Sequence, residues 1–245
     1  MTPDDLLGAL RHFSVDVHEH DGWRTRSHGE LRANAIVVHD SVTGSMTDER
    51  AAIFCAAGRS DLKGPLYNCL VGHDGTAHLI AFGTAWHAGT GNGMRFEQAA
   101  SGKMPLNAEL GRPGPDDYPG ANGRAHAVAF VTYGAGPYSP EQIEGAARVC
   151  AAYCLAEDWR QYGATSMIGH GELSSRKIDP QLDMGLLRTR THALVVGIGE
   201  VWHIVAAGDT LWSISRRYGV TVDQIRRLNN LQSDLIGVGW RLRVE

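Results

Sequence analysis

The chain has 245 residues, 43% of them hydrophobic, and a formal net charge of −4. That length holds one domain of ordinary size plus a small one, with enough apolar residues for a core in each. The acidic balance excludes the basic footprint usual for nucleic-acid binders, and no run approaches the ~18 apolar residues of a membrane-crossing helix.

The opening MTPDDLLGALRHF carries acids where a secretory leader would be basic, and no apolar run follows. The expectation is a protein made in a cytoplasm without a signal peptide and not inserted into a membrane. Cys55, Cys69, Cys150 and Cys154 match no zinc-finger spacing and read as buried, reduced thiols. Ala35 to His39, AIVVH, reads as a short buried strand. A helix is predicted to open near Thr47, with Asp48 and Glu49 in its first turn. Two strands follow, Tyr67 to Val71 and Ala77 to Phe82, joined by a hairpin at Asp74-Gly75. Residues 89–123 are rich in Gly, Pro and polar groups and read as one long loop.

His126 to Thr132 is predicted to be a strand. Ser139-Pro140-Glu141-Gln142 reads as a helix start, with Gln142 completing a capping box and the helix running to about Tyr162. A strand SMIGH ends at His170, and a last helix covers about Asp183 to Val196. Strands alternating with helices give an α/β class, with a mixed central sheet flanked by helices. Past Gly197-Ile198-Gly199 the pattern changes to a β-α-α-β unit: Trp202 to Val205, Leu211 to Tyr218, Thr221 to Asn229 and Trp240 to Val244. The predicted domains are 1–197 and 200–245, joined by a short linker.

Most of the 12 histidines need no special reading. His39 and His170 stand out because each closes a strand, and Asp179 lies in the loop behind His170. Together they would give one zinc three ligands and leave a fourth position open, as in hydrolytic rather than structural sites. Unrelated polar residues at strand ends would show the same spacing. The motifs VVHDS, LYNCLVGHDGTAHLI, AWHAG, the YSPEQ helix start and GHGELSSRKIDP occur in this order. With them the region 23–195 resembles the type 2 N-acetylmuramoyl-L-alanine amidases. That superfamily includes phage endolysin amidases and peptidoglycan recognition proteins.

The resemblance implies zinc on His39, His170 and Asp179, and hydrolysis of the amide between N-acetylmuramic acid and L-alanine in peptidoglycan. It implies that Lys177 stabilises the oxyanion and that Tyr67 hydrogen-bonds the reacting groups, with a core aromatic as the bland reading of Tyr67. His87, in AWHAG, lies near the substrate or is structural. One departure matters. Some members carry a glutamate base in the strand equivalent to His126–Thr132, which here reads HAVAFVT and has no acid.

The segment 201–245 holds GDTLW, RYGV, a helix ending in LN and a final G-x-R-L strand, and it resembles a LysM domain. That implies binding of N-acetylglucosamine-containing glycan between Gly208, Asp209, Thr210 and Leu211 on one wall and Asn230 to Ile236, with Leu231, on the other. Leu211, Trp212, Ile214 and Ile225 read rather as core. The expected whole is a monomeric phage or prophage endolysin. A non-catalytic peptidoglycan receptor and a bacterial wall-remodelling amidase are the alternatives.

Overall fold

The structure is a computed structural model that describes every residue except 109, 135, 160–162, 198–201, 219 and 245. Helix α1 (Pro3–His12) opens the chain. Thr2 caps it: its Oγ accepts from the Asp5 N–H, and the Asp5 carboxylate accepts from the Thr2 N–H at 2.8 Å. Leu6, Leu7 and Leu10 are buried, so this helix is held by its apolar stripe as well as its cap.

Next come β1 (Val17–Glu19), β2 (Ala35–Asp40), α2 (Asp48–Ala57), a small hairpin of β3 (Gly58–Arg59) and β4 (Leu62–Lys63), β5 (Cys69–Val71) and β6 (Ala77–Leu79). The main domain is completed by α3 (Gly93–Ala100), β7 (Ala125–Phe130), α4 (Pro140–Ala156), β8 (Met167–Gly169), α5 (His170–Leu173) and α6 (Met184–Val196). Six strands form one mixed sheet in the order β1-β6-β5-β7-β2-β8. The β5–β6 pair is antiparallel and the other neighbours are parallel. Gly75 makes the β5–β6 turn at φ 87°, and a Cβ there would sit 2.6 Å from the Glu141 carbonyl oxygen.

Alternation along the strands divides the core. Ile36, Val38, Val71, Val128 and Phe130 face α1, α4 and α6. On the opposite face, Val37 and Ile168 meet Phe96 and Ala99 of α3, while Leu70 and Ala129 meet Ala51, Ala52 and Cys55 of α2. Burial on both faces explains why β2 reads as a continuous apolar run rather than an alternating one. The four cysteines are buried and form no disulfide.

In the main domain three expectations change. The segment 89–123 is not one loop, because it contains α3, capped by Asn92 and anchored by buried Phe96 and Ala99. Helix α4 stops at Ala156, well short of Tyr162, which lies outside the described residues. Asp158 takes φ 61°, and Trp159 N–H returns to the Cys154 carbonyl at 2.8 Å. This is a left-handed helix stop built without glycine. Gln142 closes no capping box. Ser139 does cap the helix, but the Gln142 amide is buried and donates to the carbonyls of Val71 and Val131, at 3.0 and 2.9 Å.

The C-terminal unit has β9 (Trp202–Ile204), α7 (Leu211–Tyr218), α8 (Val222–Leu228) and β10 (Arg241–Arg243), with β9 and β10 antiparallel. Its own core is Val205, Leu211, Ile214, Ile225, Leu242 and Val244. Trp212, expected in that core, is instead 67% exposed, with the Arg216 guanidinium 5.9 Å from its ring. Thr221 and Gln224 form a capping box, and Thr221 also donates to the Asp5 carboxylate of α1 at 2.8 Å. Residues 198 and 199 of the expected linker lie outside the described residues. Among the described residues no helix is long and apolar enough to cross a membrane.

Candidate metal centre

Strand register builds the site. Strands β2 and β8 are parallel neighbours with Val38 opposite Gly169, so the next residues, His39 in β2 and His170 at the start of α5, stand side by side where the two strands part. This is the carboxyl edge of the parallel strands, where open α/β sheets place their ligands. Both imidazoles are buried, at 1% and 2% exposure. The loop after α5 returns Asp179 to them, held by a 2.6 Å hydrogen bond from Gly171 N–H to the Asp179 carbonyl.

Three donor atoms converge. His39 Nδ1 and His170 Nδ1 are 3.1 Å apart, His170 Nδ1 and Asp179 Oδ2 are 3.1 Å apart, and His39 Nδ1 and Asp179 Oδ2 are 3.4 Å apart. Donors about 2.0–2.1 Å from a tetrahedral centre lie roughly 3.3 Å from one another, so this triangle matches one face of a tetrahedron. The outward nitrogens are also occupied. His170 Nε2 lies 3.1 Å from the Ala88 carbonyl, and His39 Nε2 lies 3.0 Å from His87 Nδ1. With those nitrogens donating, both Nδ1 lone pairs point into the triangle, the partner arrangement that metal-ligating histidines show.

The charge states suit a cation. Burial, with His170 beside it, pushes the His39 imidazole down to about 4, so it is neutral at pH 7. Burial alone would raise the Asp179 carboxyl, but the His170 and His39 rings facing it hold it far below the usual range. A neutral imidazole and an ionised carboxylate are the forms a metal binds.

The other sequence candidates fall around this triangle. Tyr67 lies with its ring 5.3 Å from that of His39, and its hydroxyl donates to the Asp40 carbonyl at 3.4 Å. Burial raises its phenol well above the ordinary value, so it remains a neutral donor. Lys177 is exposed and lines a cavity of about 370 Å³ with Gly171, Ile178 and Asp179. His87 is fixed by two backbone contacts: the amides of His87 and Ala88 both donate to Asn122 Oδ1, at 3.0 and 2.8 Å. Its Nδ1 stands behind His39, 3.0 Å from His39 Nε2.

Sequence reasoning missed the support beneath. Arg188 of α6 is fully buried and forks onto Glu172 of α5 at 2.8 and 3.0 Å. The same carboxylate accepts from Gly169 N–H at 3.0 Å, the residue before His170. A capping acid at the third position of a short helix was the available signal. Asp116 is a second tie. It accepts from Ser174 at 2.6 Å and from Arg176 at 2.8 Å, fastening the 101–120 segment to the His170 loop.

In the C-terminal unit Gly208 takes φ 90° at an exposed turn, and Asp209 closes that turn by accepting from Ala206 N–H at 2.8 Å and pairing with His203 at 2.7 Å. Thr210 and Asn230 are exposed, whereas Leu211 is only 1% exposed and belongs to the core, with Leu231 and Ile236 packed against it.

Comparison with known proteins gives the family. The profile described as N-acetylmuramoyl-L-alanine amidase matches residues 29–182, and the LysM domain profile matches residues 203–245. A stretch of 41 residues is 46% identical to the "Probable peptidoglycan endopeptidase LytE" of Bacillus subtilis, covering 17% of this chain and 12% of that protein. A stretch of 42 residues is 43% identical to the "Autolysin" of Enterococcus faecalis, covering 17% of this chain and 6% of that protein. The chain thus spans only a small part of the curated relatives it matches. A solved structure of an AmpD selenomethionine derivative aligns over 72% of this chain and 92% of its own, at 18% identity and a TM-score of 0.45. The family profile covers well over half of the sequence, and the chain belongs to the N-acetylmuramoyl-L-alanine amidase family, with a LysM domain at its C-terminal end.

Proposed function

We propose that this chain hydrolyses the amide between N-acetylmuramic acid and L-alanine in peptidoglycan, with zinc held by His39, His170 and Asp179. The observation that carries this reading is the donor triangle of 3.1, 3.1 and 3.4 Å at the carboxyl edge of β2 and β8. Three protein donors leave one position free, the mark of a catalytic rather than a closed site. A zinc ion there would supply Lewis-acid polarisation of the amide carbonyl and a water nucleophile at neutral pH.

The chain's own residues do the rest. Lys177, exposed and lining one cavity with Asp179, would stabilise negative charge as the carbonyl oxygen gains it. Tyr67 offers a neutral hydroxyl next to His39 and stabilises the same developing charge by donation. His87 and the Ala88 carbonyl hold the two imidazoles in their metal-ready tautomers. Strand β7 supplies no carboxylate, so Tyr67 and solvent would carry the proton to the leaving amine. The LysM domain holds the enzyme on the glycan through the Gly208–Thr210 turn and the Asn230–Ile236 segment, raising its local concentration on the wall. The two units, 1–197 and 200–245, act as separate catalytic and anchoring domains, in a monomer serving as a phage or prophage endolysin.

Purified sacculi test the chemistry. Digestion should release new L-alanine amino termini with no new reducing sugars. Both His39→Ala and a chelator should abolish that release, and added zinc should restore only the chelated wild type. Sacculus binding without amino-terminal release by the zinc-loaded protein would overturn catalysis and leave a receptor.

A further inference from the structure

A second group of histidines lies at the far edge of the sheet, separated from β2 and β8 by β5 and β7. It arises from register. His18 of β1 stands directly opposite His78 of β6 in a parallel pair. His20, two residues on, projects to the same face as His18 because side chains alternate along extended chain. His78 faces away from Ala77 and Leu79, which enter the core on the α1 and α4 side, and so points to the side covered by α2. The first turn of α2 brings Glu49 over all three rings.

The atoms are close. His20 Nε2 and His78 Nδ1 are 3.1 Å apart, His18 Nδ1 and Glu49 Oε2 are 3.2 Å apart, and His20 Nδ1 and Glu49 Oε1 are 3.8 Å apart. The His18 and His20 rings are stacked at 4.5 Å, and each lies 5.4 Å from the His78 ring. One donor atom from each of the four residues fits within 4.8 Å of every other. His20 and His78 are buried, at 7% and 5% exposure, while the His18 and Glu49 side chains are about half exposed. An open depression of about 550 Å³, bordered by His18, His20, Glu49 and Arg26, gives an ion a path in. Arg26 borders the same depression and keeps its charge, with its guanidinium turned onto the carbonyls of Ile80 and Asp21.

We propose that His18, His20, His78 and Glu49 form a second, structural zinc site. Three imidazoles and a carboxylate are donors that zinc prefers. Their number matters: four protein donors close the coordination shell, which suits a structural ion and leaves no place for a reacting water. Charge agrees, since one carboxylate and three neutral rings receive a dication well, whereas three protonated rings at these separations repel one another. Burial, the first cause, holds His20 and His78 below the ordinary imidazole value and keeps their lone pairs available at pH 7. The ion ties β1, a three-residue edge strand following α1, to β6 and to α2. The amino-terminal segment is thereby fastened to the domain at an edge otherwise held by one short parallel pairing.

The test uses the full chain, stripped of metal and titrated with zinc against a chromophoric chelator. Wild type should bind two equivalents, and His18→Ala/Glu49→Gln should bind one; both substituted side chains are half exposed, so the core is left alone. His39→Ala should also keep one equivalent, and zinc should raise its Tm by on the order of 5 °C. In that variant zinc should shift the ring nitrogen resonances of His18, His20 and His78. Equal zinc stoichiometry in wild type and His18→Ala/Glu49→Gln, or no shift of those ring nitrogens, overturns the proposal. The two sites fail separately, because loss of an equivalent in His39→Ala reports only on the triangle at β2 and β8.

Discussion

Arg188 should be the costliest single side chain to remove outside the metal ligands. Its guanidinium is 0% exposed and meets Glu172 in a two-bond fork at 2.8 and 3.0 Å, with further bonds to the carbonyls of Pro105 and Ala108, both at 2.7 Å. Arg188→Leu keeps most of the volume but leaves the Glu172 carboxylate, only 9% exposed, without its cation. Breaking a buried pair on one side costs about 3–5 kcal/mol. The freed carbonyls add little, because residues 105–108 are half-buried or exposed and water reaches them. At roughly 2–4 °C per kcal/mol for a chain of this size, Tm should fall by about 6–20 °C. Arg59→Ala is the control. Its pair with Asp61 is 52% and 69% exposed, and loss of such a pair costs under about 1 kcal/mol. Arg188→Met/Glu172→Leu should recover part of the loss, since no unpaired charge remains. Urea unfolding with zinc in excess measures all three. An Arg188→Leu protein within 1 kcal/mol of wild type would refute the view that this fork holds the His170 turn.

Three further outcomes are expected. His87→Ala removes the acceptor behind His39 and should weaken zinc binding at the triangle about 10–100-fold in a chelator competition, with His87→Asn recovering part; unchanged affinity would return His87 to a substrate role. Lys177→Ala should keep its zinc and lower kcat on a soluble muropeptide by on the order of 10²–10³-fold, with KM changed far less. Near-normal turnover would make Lys177 a solvated loop charge. A chain ending at Ile198 should fold and cleave soluble muropeptide at close to the normal rate while losing activity on intact walls. Equal losses on both substrates would show that the LysM domain shapes the active site.

What the sequence made legible follows from how local each signal is. Strand β2 and the Asp74-Gly75 hairpin announce themselves within a few residues: AIVV is buried on both faces, and Gly75 sits at φ 87°. The β9-α7-α8-β10 unit is equally local, down to the Thr221 and Gln224 capping box. Helix α3 was hidden because it begins with glycine and has only two buried side chains, Phe96 and Ala99, inside a Gly-rich context. Gln142 misled for the opposite reason. Its spacing from Ser139 suits a cap, but two buried carbonyls of neighbouring strands outbid the helix end for its amide. Arg188 was invisible because a lone arginine in a helix ordinarily reads as a solvated charge. Only the fold brings Glu172 beneath it.

The same register rule accounts for both histidine clusters, and it also accounts for their difference. His39 and His170 lie one step past the paired residues Val38 and Gly169, where β2 and β8 part while β2 stays paired with β7. Beyond that point β2 runs on to Asp40 and β8 passes into α5, and the loop after α5 contributes a single carboxylate, Asp179. His18 and His78 instead face each other within paired strands, and α2 lies across them. A helix over a sheet face fills the remaining direction with a side chain, here Glu49. A three-donor opening at a strand end and a four-donor closure over a sheet face thus arise from one topology. Their position in the sheet, more than the choice of residues, separates the three-donor set from the four-donor set.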